Sequence, residues 1–117
     1  MTAIEICPAD GLLQGSAVKF QFRCEGIPFE GFVVRVGDQI FAYENRCRHL
    51  PLPLDHEANR FFTTDGAHLV CSSHGAIYEP STGLCVRGPC EGARLKKLEA
   101  SLQNGNVVVL VPGGSAI

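Results

Sequence analysis

The sequence predicts an all-β fold, an antiparallel sandwich or barrel of short strands joined by tight turns. Glycine and proline together account for 20 of the 117 residues (13 Gly and 7 Pro), a composition typical of turn-rich β domains rather than helical bundles. Apolar and polar residues alternate over short segments, which is the period-two pattern of half-buried strands. The length predicts one domain, covering residues 1–117.

Five segments carry the strand pattern, and the first of them (AVKFQFR) places its three large apolar side chains on one face. Gly37-Asp38 separates the second and third segments, and Asn104-Gly105 lies between the last two. Both dipeptides suit the tight turns of β-hairpins, because their residues tolerate positive φ. The predicted strands are residues 17–23, 31–36, 39–43, 98–102 and 107–111.

The middle of the chain, residues 44–92, differs from the strands around it. It contains all four histidines, four of the six cysteines and four of the seven prolines. Helix signals are weak throughout, and the best helix candidate covers residues 56–62. A segment of this kind buries little apolar area, so we expect a bound metal to hold it together as an inserted subdomain, because metal-binding free energy contributes to folding.

Charge and composition exclude several classes of protein. A net charge of −2 and a pI near 6.0 provide no basic surface for nucleic acid. Residues 1–15 lack the basic and apolar regions of a signal peptide, and no segment approaches the roughly 18 apolar residues of a spanning helix. We therefore expect a cytoplasmic protein without a membrane span. In a reducing compartment its cysteines are more plausible as metal ligands or small apolar residues than as disulfides.

Two short pairs of cysteine and histidine carry the chemistry. Cys47 and His49 are spaced C-x-H, Cys71 and His74 are spaced C-x-x-H, and 21 residues separate the pairs. Two such pairs in turn-rich loops predict a metal site of soft thiolates and borderline imidazoles. A structural zinc site is one alternative, although zinc fingers usually pair like ligands within a loop. One cysteine and one histidine from each loop better suit a binuclear iron cluster with unlike irons.

These motifs resemble those of the Rieske [2Fe–2S] family, in which C-x-H and C-x-x-H-G are followed by a Gly-Pro segment. The resemblance implies a Rieske-type antiparallel β sandwich or barrel with an inserted cluster-binding subdomain, and one [2Fe–2S] cluster per chain. It also implies that Cys47 and Cys71 bind the inner iron, and that His49 and His74 bind the outer iron through Nδ1. Because two ligands are neutral imidazoles, the expected reduction potential lies between about −150 and +300 mV.

The same resemblance assigns further positions around the cluster. Gly75 follows the second histidine, where a side chain would crowd the cluster, and Gly88-Pro89 resembles the loop that covers it from the side. Tyr78 lies where high-potential members have a tyrosine that donates a hydrogen bond to a ligand thiolate, with an ordinary strand aromatic as the alternative. Residues 83–95 (GLCVRGPCEGARL) resemble those of small stand-alone bacterial Rieske proteins.

Three positions depart from the high-potential members of the family. Leu52 and Ser73 stand where those proteins have two cysteines joined by a disulfide, and Ala76 stands where they have a serine that donates a hydrogen bond to a bridging sulfide. Hydrogen bonds to the sulfurs raise the reduction potential. Their loss predicts a low-potential, ferredoxin-like protein.

Other chemically distinctive residues each have more than one interpretation. Cys85 and Cys90 flank the predicted covering loop, and a disulfide, a redox pair and a second metal site are alternatives to the packing role that we favour. Phe61 and Phe62 are expected to cover a small core, with a docking contact as the alternative. The remaining candidates are core or incidental thiols (Cys7, Cys24), solvated loop residues (His56, His68) and a solvated or partner-binding cation (Arg48).

The predicted function is one-electron transfer from a reductase to an oxygenase or a similar terminal oxidoreductase, by a monomer or weak oligomer. Two alternatives remain: a non-catalytic small subunit of a larger oxidoreductase, like that of assimilatory nitrite reductases, and a structural zinc module for protein recognition. The chain is predicted to be an electron-transfer protein and not itself an enzyme. It has no G-x-G-x-x-G motif for a dinucleotide and no domain for a mononuclear 2-His-1-carboxylate iron.

Overall fold

The structure is a computed structural model that describes residues 2–13, 15–24, 26–46, 54–55, 61–63, 65–71, 75–111 and the backbone of residues 114–116. Ten strands lie in this part of the chain, and a 3-10 turn, Ala9–Gly11, follows the first of them. The strands are β1 (Thr2–Pro8), β2 (Ala17–Cys24), β3 (Ile27–Val36), β4 (Gln39–Glu44), β5 (Leu69–Val70), β6 (Ile77–Tyr78), β7 (Cys85–Arg87), β8 (Lys97–Gln103), β9 (Asn106–Val111) and β10 (Gly114–Ala116).

Seven strands form one antiparallel sheet in the order β1–β9–β8–β4–β3–β2–β10. The two edge strands, β1 and β10, also lie against each other, so the sheet curls into a nearly closed barrel. The predicted all-β antiparallel fold is confirmed. Among the described residues, no helix is long and apolar enough to cross a membrane.

All five predicted strands are present, with boundaries that differ by a few residues. The largest difference is in β3, which begins at Ile27 rather than at residue 31. Asn104 and Gly105 have φ values of 53° and 79°, as the predicted turn between β8 and β9 requires. The sequence pattern does not identify β1, although Ile4 and Ile6 alternate along it and Ile4 is buried.

Strand β3 is buried on both faces. Phe32, Val33 and Val34 have no exposed surface. Val33 packs inside the barrel, whereas Phe32 and Val34 belong to a second core on the other side of the sheet. Because both faces are covered, this strand carries a continuous apolar run instead of a strict alternation.

The second core lies beneath a small antiparallel sheet of order β5–β6–β7. All three strands fall inside residues 44–92, the range predicted for the inserted subdomain. The predicted helix over residues 56–62 is wrong at its C-terminal end, because Phe62 forms a β-bridge with Leu69; residues 56–60 lie outside the described residues. A pair of adjacent aromatic residues suits an extended segment as well as a helix, so their pattern could not decide between them.

Candidate metal centre

The second predicted ligand loop is closed at its base by two backbone hydrogen bonds. Cys71 follows β5 directly, and its N–H donates to the carbonyl of Ala76 at 2.8 Å, while the Gly75 N–H donates to the Cys71 carbonyl at 2.9 Å. Gly75 has a φ of +73°, a conformation that favours glycine whether or not a cluster lies nearby. The two bonds therefore hold Cys71 beside Gly75 and Ala76, and both Cys71 and Ala76 are fully buried.

The first predicted ligand loop is held at both ends by Asn45. Its Nδ2 donates to Glu30 Oε1 at 2.7 Å and to Asp55 Oδ1 at 2.9 Å, and its Oδ1 accepts from the backbone N–H of Leu54 at 2.8 Å. The Asn45 N–H also donates to the Glu30 carbonyl at 2.8 Å. Asn45 precedes the loop, and Leu54 and Asp55 follow its predicted ligands, so one buried amide joins the two ends to strand β3.

Asp55 is a buried acid with a specific cation partner. Its carboxyl side chain is only 2% exposed, and its Oδ2 lies 2.9 Å from Nζ of Lys19 on β2. The hydrogen bond to Asp55 raises the pKa of the Lys19 ammonium above its usual value. A carboxylate in such a buried position needs both the amide and the ammonium, because an unpaired buried charge is strongly unfavourable.

The loop predicted to cover the site packs against the second ligand loop. Gly88 has a φ of +107°, and a Cβ placed on it would lie 2.8 Å from the Cα of Ala76. A contact this short leaves no room for any side chain at position 88. Pro89, beside it, is exposed. The Gly-Pro segment thus lies on the surface with its backbone pressed against the chain that follows the second ligand pair.

Tyr78 lies beneath the covering loop and contacts a thiol. Its side chain is fully buried, and its hydroxyl lies 3.2 Å from the Sγ of Cys90, close enough for a hydrogen bond in which either atom is the donor. The Sγ of Cys90 in turn lies 3.3 Å from the Sγ of Cys85. The contact between Tyr78 and a ligand thiolate stays a prediction, because only one of the two predicted ligand cysteines, Cys71, is described.

Aromatic residues build the core around this region. Phe61 is 1% exposed and stacks on Phe32 with ring centroids 4.4 Å apart, and Phe62 is half-buried against the same core. The prediction that this pair covers a core is confirmed.

His68 is half-buried rather than fully solvated, since it lies where the chain turns back into β5. Cys7 and Cys24, predicted as core or incidental thiols, are half-buried against the barrel core, and burial raises the pKa of the Cys7 thiol.

Tyr43 connects the barrel to the small sheet. Its side chain belongs to the second core, and its hydroxyl donates to the Pro80 carbonyl at 2.5 Å. Removal from water raises the pKa of Tyr43 to about 12, and the negative charge of Glu79 adds to the effect. Tyr43 therefore stays neutral over the physiological range and keeps its hydrogen bond.

Several predicted site residues lie outside the described residues. Of the four predicted ligands, only Cys71 is described, and the described residues hold no group of three metal-ligating side chains. The others outside the described residues are Cys47, Arg48, His49, Leu52, His56, Ser73 and His74.

The surroundings of Cys71 fit a [2Fe–2S] cluster of the predicted ligand set. Cys71 shares its core with the apolar side chains of Leu54, Phe61, Leu69 and Ala76. Two ferric ions, two sulfides, two thiolates and two neutral imidazoles sum to zero charge. A centre without net charge is tolerated next to such apolar side chains far better than an isolated thiolate would be.

Sequence analysis missed the polar group formed by Asn45, Asp55 and Lys19. Its members are ordinary polar residue types, and Lys19 lies 36 positions before Asp55 in the chain. The one available signal was the position of Asn45, which falls between a strand and the first ligand pair.

Comparison with known proteins gives a consistent result. The Rieske [2Fe–2S] domain family matches residues 2–108 of this chain. Ferredoxin CarAc of Metapseudomonas resinovorans is 29% identical over 106 residues, which cover 91% of this chain and 91% of that protein.

Solved structures resemble the chain over a similar extent. A chain in the complex of reduced oxygenase and oxidized ferredoxin in carbazole 1,9a-dioxygenase is 29% identical, with a TM-score of 0.72, over 92% of this chain and 91% of its own length. The ferredoxin of carbazole 1,9a-dioxygenase from Nocardioides aromaticivorans IC177 is 24% identical, with a TM-score of 0.73, over 93% and 97% of the two chains. This second likeness is one of fold.

Proposed function

The chain belongs to the Rieske [2Fe–2S] domain family, and from that premise we propose that it carries single electrons from a reductase to an oxygenase or a similar terminal oxidoreductase. One observation carries the proposal: the similarity to ferredoxin CarAc extends over 91% of both chains. The relative is thus a ferredoxin of nearly the same extent, rather than one domain of a large enzyme. A complex of oxygenase with ferredoxin among the similar structures supports an oxygenase as the acceptor.

We assign the cluster, one per chain, to Cys47, His49, Cys71 and His74. When bound, it would supply the one-electron chemistry. The described residues support this assignment by closing the Cys71 loop at its base, anchoring both ends of the first loop through Asn45, and pressing the Gly88 backbone onto Ala76. A pre-formed protein frame of this kind limits rearrangement on electron transfer. The cytoplasmic location expected from the sequence pattern remains part of the proposal.

The proposed potential lies in the lower half of the window of about −150 to +300 mV. Ala76 supports this, since its methyl group replaces a hydroxyl donor at a fully buried position. Leu52 and Ser73 also support it, because they stand where the high-potential members of the family have two cysteines joined by a disulfide.

The zinc alternative loses its support because Rieske domains hold an iron–sulfur cluster. The alternative of a subunit in a larger oxidoreductase predicts a stable complex, and monomer or weak oligomer remains our expectation for the isolated chain.

Cluster content provides the first test. The purified protein is expected to be brown, to contain two irons and two sulfides per chain, and to show the EPR signal of a Rieske cluster when reduced. Cys71→Ala is expected to abolish iron binding, whereas Cys24→Ala, a half-buried thiol of the barrel, serves as the matched control and retains it. A colourless protein with stoichiometric zinc would contradict the proposal.

Electron transfer provides the second test. The chemically reduced protein is mixed anaerobically with cytochrome c, a one-electron acceptor, and the transfer of one electron per chain is expected. Spectroelectrochemical titration is expected to give a potential in the lower half of the Rieske window, below about +75 mV. Size-exclusion chromatography with a candidate reductase then separates the two functions, since persistent co-elution at low concentration would indicate a subunit and not a carrier.

A further inference from the structure

The loop that covers the predicted cluster contains two thiols in contact, and the proposed electron transfer does not use them. Cys85 Sγ and Cys90 Sγ are 3.3 Å apart, compared with about 2.05 Å in a disulfide. The side chains therefore need to approach by only about 1.2 Å for a bond to form. We propose that Cys85 and Cys90 form a thiol–disulfide exchange site whose substrate is a low-molecular-weight disulfide.

The backbone around the pair supports bond formation without unfolding. Cys85 is fixed in β7, where its N–H donates to the Ala93 carbonyl at 2.7 Å and its carbonyl accepts from Gly92 at 2.9 Å. Cys90 lies in the turn that joins β7 to Gly92 and Ala93, and its carbonyl accepts a hydrogen bond from the Ala93 N–H at 2.9 Å. The two cysteines thus lie at the base and the tip of one short surface loop. A change of side-chain rotamer, together with a small shift of that loop, brings the sulfurs to bonding distance.

Exposure assigns different roles to the two thiols. Cys85 is 1% exposed, whereas Cys90 is partly exposed and its neighbours Pro89 and Glu91 are exposed. An incoming disulfide reaches Cys90 first. Cys85 lies behind it, in contact with its sulfur, which is the position of a resolving thiol.

The exchange is balanced in atoms and electrons. The Cys90 thiolate attacks one sulfur of the small disulfide, the S–S bond of that molecule breaks, and one small thiolate leaves. The Cys85 thiolate then attacks the Cys90 sulfur of the mixed disulfide, and the second small thiolate leaves. The protons of the two cysteine thiols end on the two released thiols. The protein is oxidised by two electrons and the small disulfide is reduced by two electrons.

Oxidation of the pair also changes a contact beneath the loop. The hydroxyl of Tyr78 lies 3.2 Å from Cys90 Sγ, and a disulfide sulfur has no hydrogen to donate to it. Drawing the Cys90 sulfur toward Cys85 alters that contact, and Tyr78 lies two residues after Ala76 in the strand that leaves the second ligand loop. The state of the thiol pair is therefore coupled by structure to the surroundings of the predicted cluster.

The test follows the thiols and does not require electron-transfer activity. The full-length, cluster-loaded protein is equilibrated anaerobically in mixtures of reduced and oxidised glutathione, alkylated under denaturing conditions and mapped by mass spectrometry. The expected product is a peptide two hydrogens lighter that links Cys85 to Cys90. Its fraction rises with the ratio of glutathione disulfide to the square of glutathione, and dithiothreitol reverses it.

Three variants sharpen the test. Cys85→Ala is expected to stop the reaction at a glutathione adduct on Cys90, Cys90→Ala to abolish both adduct and disulfide, and Cys24→Ala to change nothing. The wild-type disulfide is also expected to shift the midpoint potential of the cluster measurably, while the visible spectrum keeps its Rieske form. A stable glutathione adduct on Cys90 in the wild type would overturn the proposal. So would unmodified thiols at a large excess of oxidised glutathione.

Discussion

Asn45 Nδ2 donates a hydrogen bond to Asp55 Oδ1 at 2.9 Å, and this contact joins the residue before the first predicted ligand pair to a residue after it. Both side chains are buried, and the amide of Asn45 also bonds Glu30 and the backbone of Leu54. An asparagine amide has two N–H donors and one carbonyl oxygen, and all of these are used here. The loop that carries Cys47 and His49 is thus anchored by a polar group, in addition to the apolar core.

Replacing Asn45 is expected to be strongly destabilising. Asn45→Ala removes three side-chain hydrogen bonds and leaves the buried Asp55 carboxylate and the Leu54 N–H with fewer partners. A loss of about 2–4 kcal/mol in the free energy of unfolding follows, with reduced iron content. Denaturant unfolding and iron analysis measure both. Asn106→Ala is the matched control, because its exposed side-chain bond to Glu5, at 2.8 Å, is expected to contribute no more than about 0.5 kcal/mol. Equal losses for the two variants would contradict the anchoring role.

Lys19, the cation partner of Asp55, is expected to contribute less to the free energy of unfolding than Asn45 does. Lys19→Met removes an ammonium that lies 2.9 Å from the buried carboxylate but is itself 36% exposed, so water partly replaces it. The expected loss is about 1–3 kcal/mol. A double-mutant cycle with Asp55→Asn measures the coupling, expected to be about 1 kcal/mol or more. Arg46→Met, which removes a 3.8 Å pair with Glu44, is the control and is expected to have little effect on stability. If the stability losses of the Lys19 and Asp55 variants simply add in the double mutant, the two residues are not coupled as proposed.

The parts of the fold that were predictable from sequence are those specified locally. Strand β2 alternates apolar and polar residues, and its Phe22 is buried as that pattern predicts. The hairpin of β8 and β9 follows from Asn104-Gly105, whose φ values suit the turn. The ligand motifs were recognisable for a similar reason, because the cysteine and the histidine of each loop lie within three or four consecutive residues.

The parts that were not predictable depend on partners far away in the chain. Strands β5, β6 and β7 have two or three residues each, too few for any periodicity, and they exist because Tyr78 and its neighbours pack on Phe32 and Phe61. The contact of Lys19 with Asp55 likewise requires the finished barrel. Tertiary packing, and not local preference, decides both.

Steric contact, and not only backbone conformation, is expected to require glycine at position 88. Gly88→Ala places a methyl group 2.8 Å from the Ala76 Cα, so the covering loop has to move away from the second ligand loop. Gly92→Ala is the matched control: its φ of +93° is also positive, but no atom lies within 4 Å of the added Cβ. The difference in unfolding free energy between the two variants isolates the contact. We expect Gly88→Ala to be about 1–3 kcal/mol less stable than Gly92→Ala. The cluster potential is expected to change in Gly88→Ala alone, and indistinguishable variants would show that the contact is unimportant.

The buried hydroxyl of Tyr43 is expected to make stability depend on pH in the alkaline range. Its pKa is raised to about 12 in the folded protein, whereas an unfolded tyrosine titrates near 10. Between these values the unfolded chain has lost the proton that the folded chain retains. The stabilisation is therefore complete below about pH 10 and is lost as pH rises through about 12, by up to about 3 kcal/mol.

Tyr43→Phe separates this titration from every other alkaline effect. At pH 7 the variant is expected to be about 1–2 kcal/mol less stable, because the buried carbonyl of Pro80 loses its donor. Between pH 10 and 12 its stability is expected to fall less steeply than that of the wild type, since the phenylalanine has no proton to lose. Denaturant unfolding at intervals of half a pH unit gives both curves. Two parallel curves over this range would show that the Tyr43 hydroxyl ionises with an ordinary pKa, and that its removal from water does not keep it neutral.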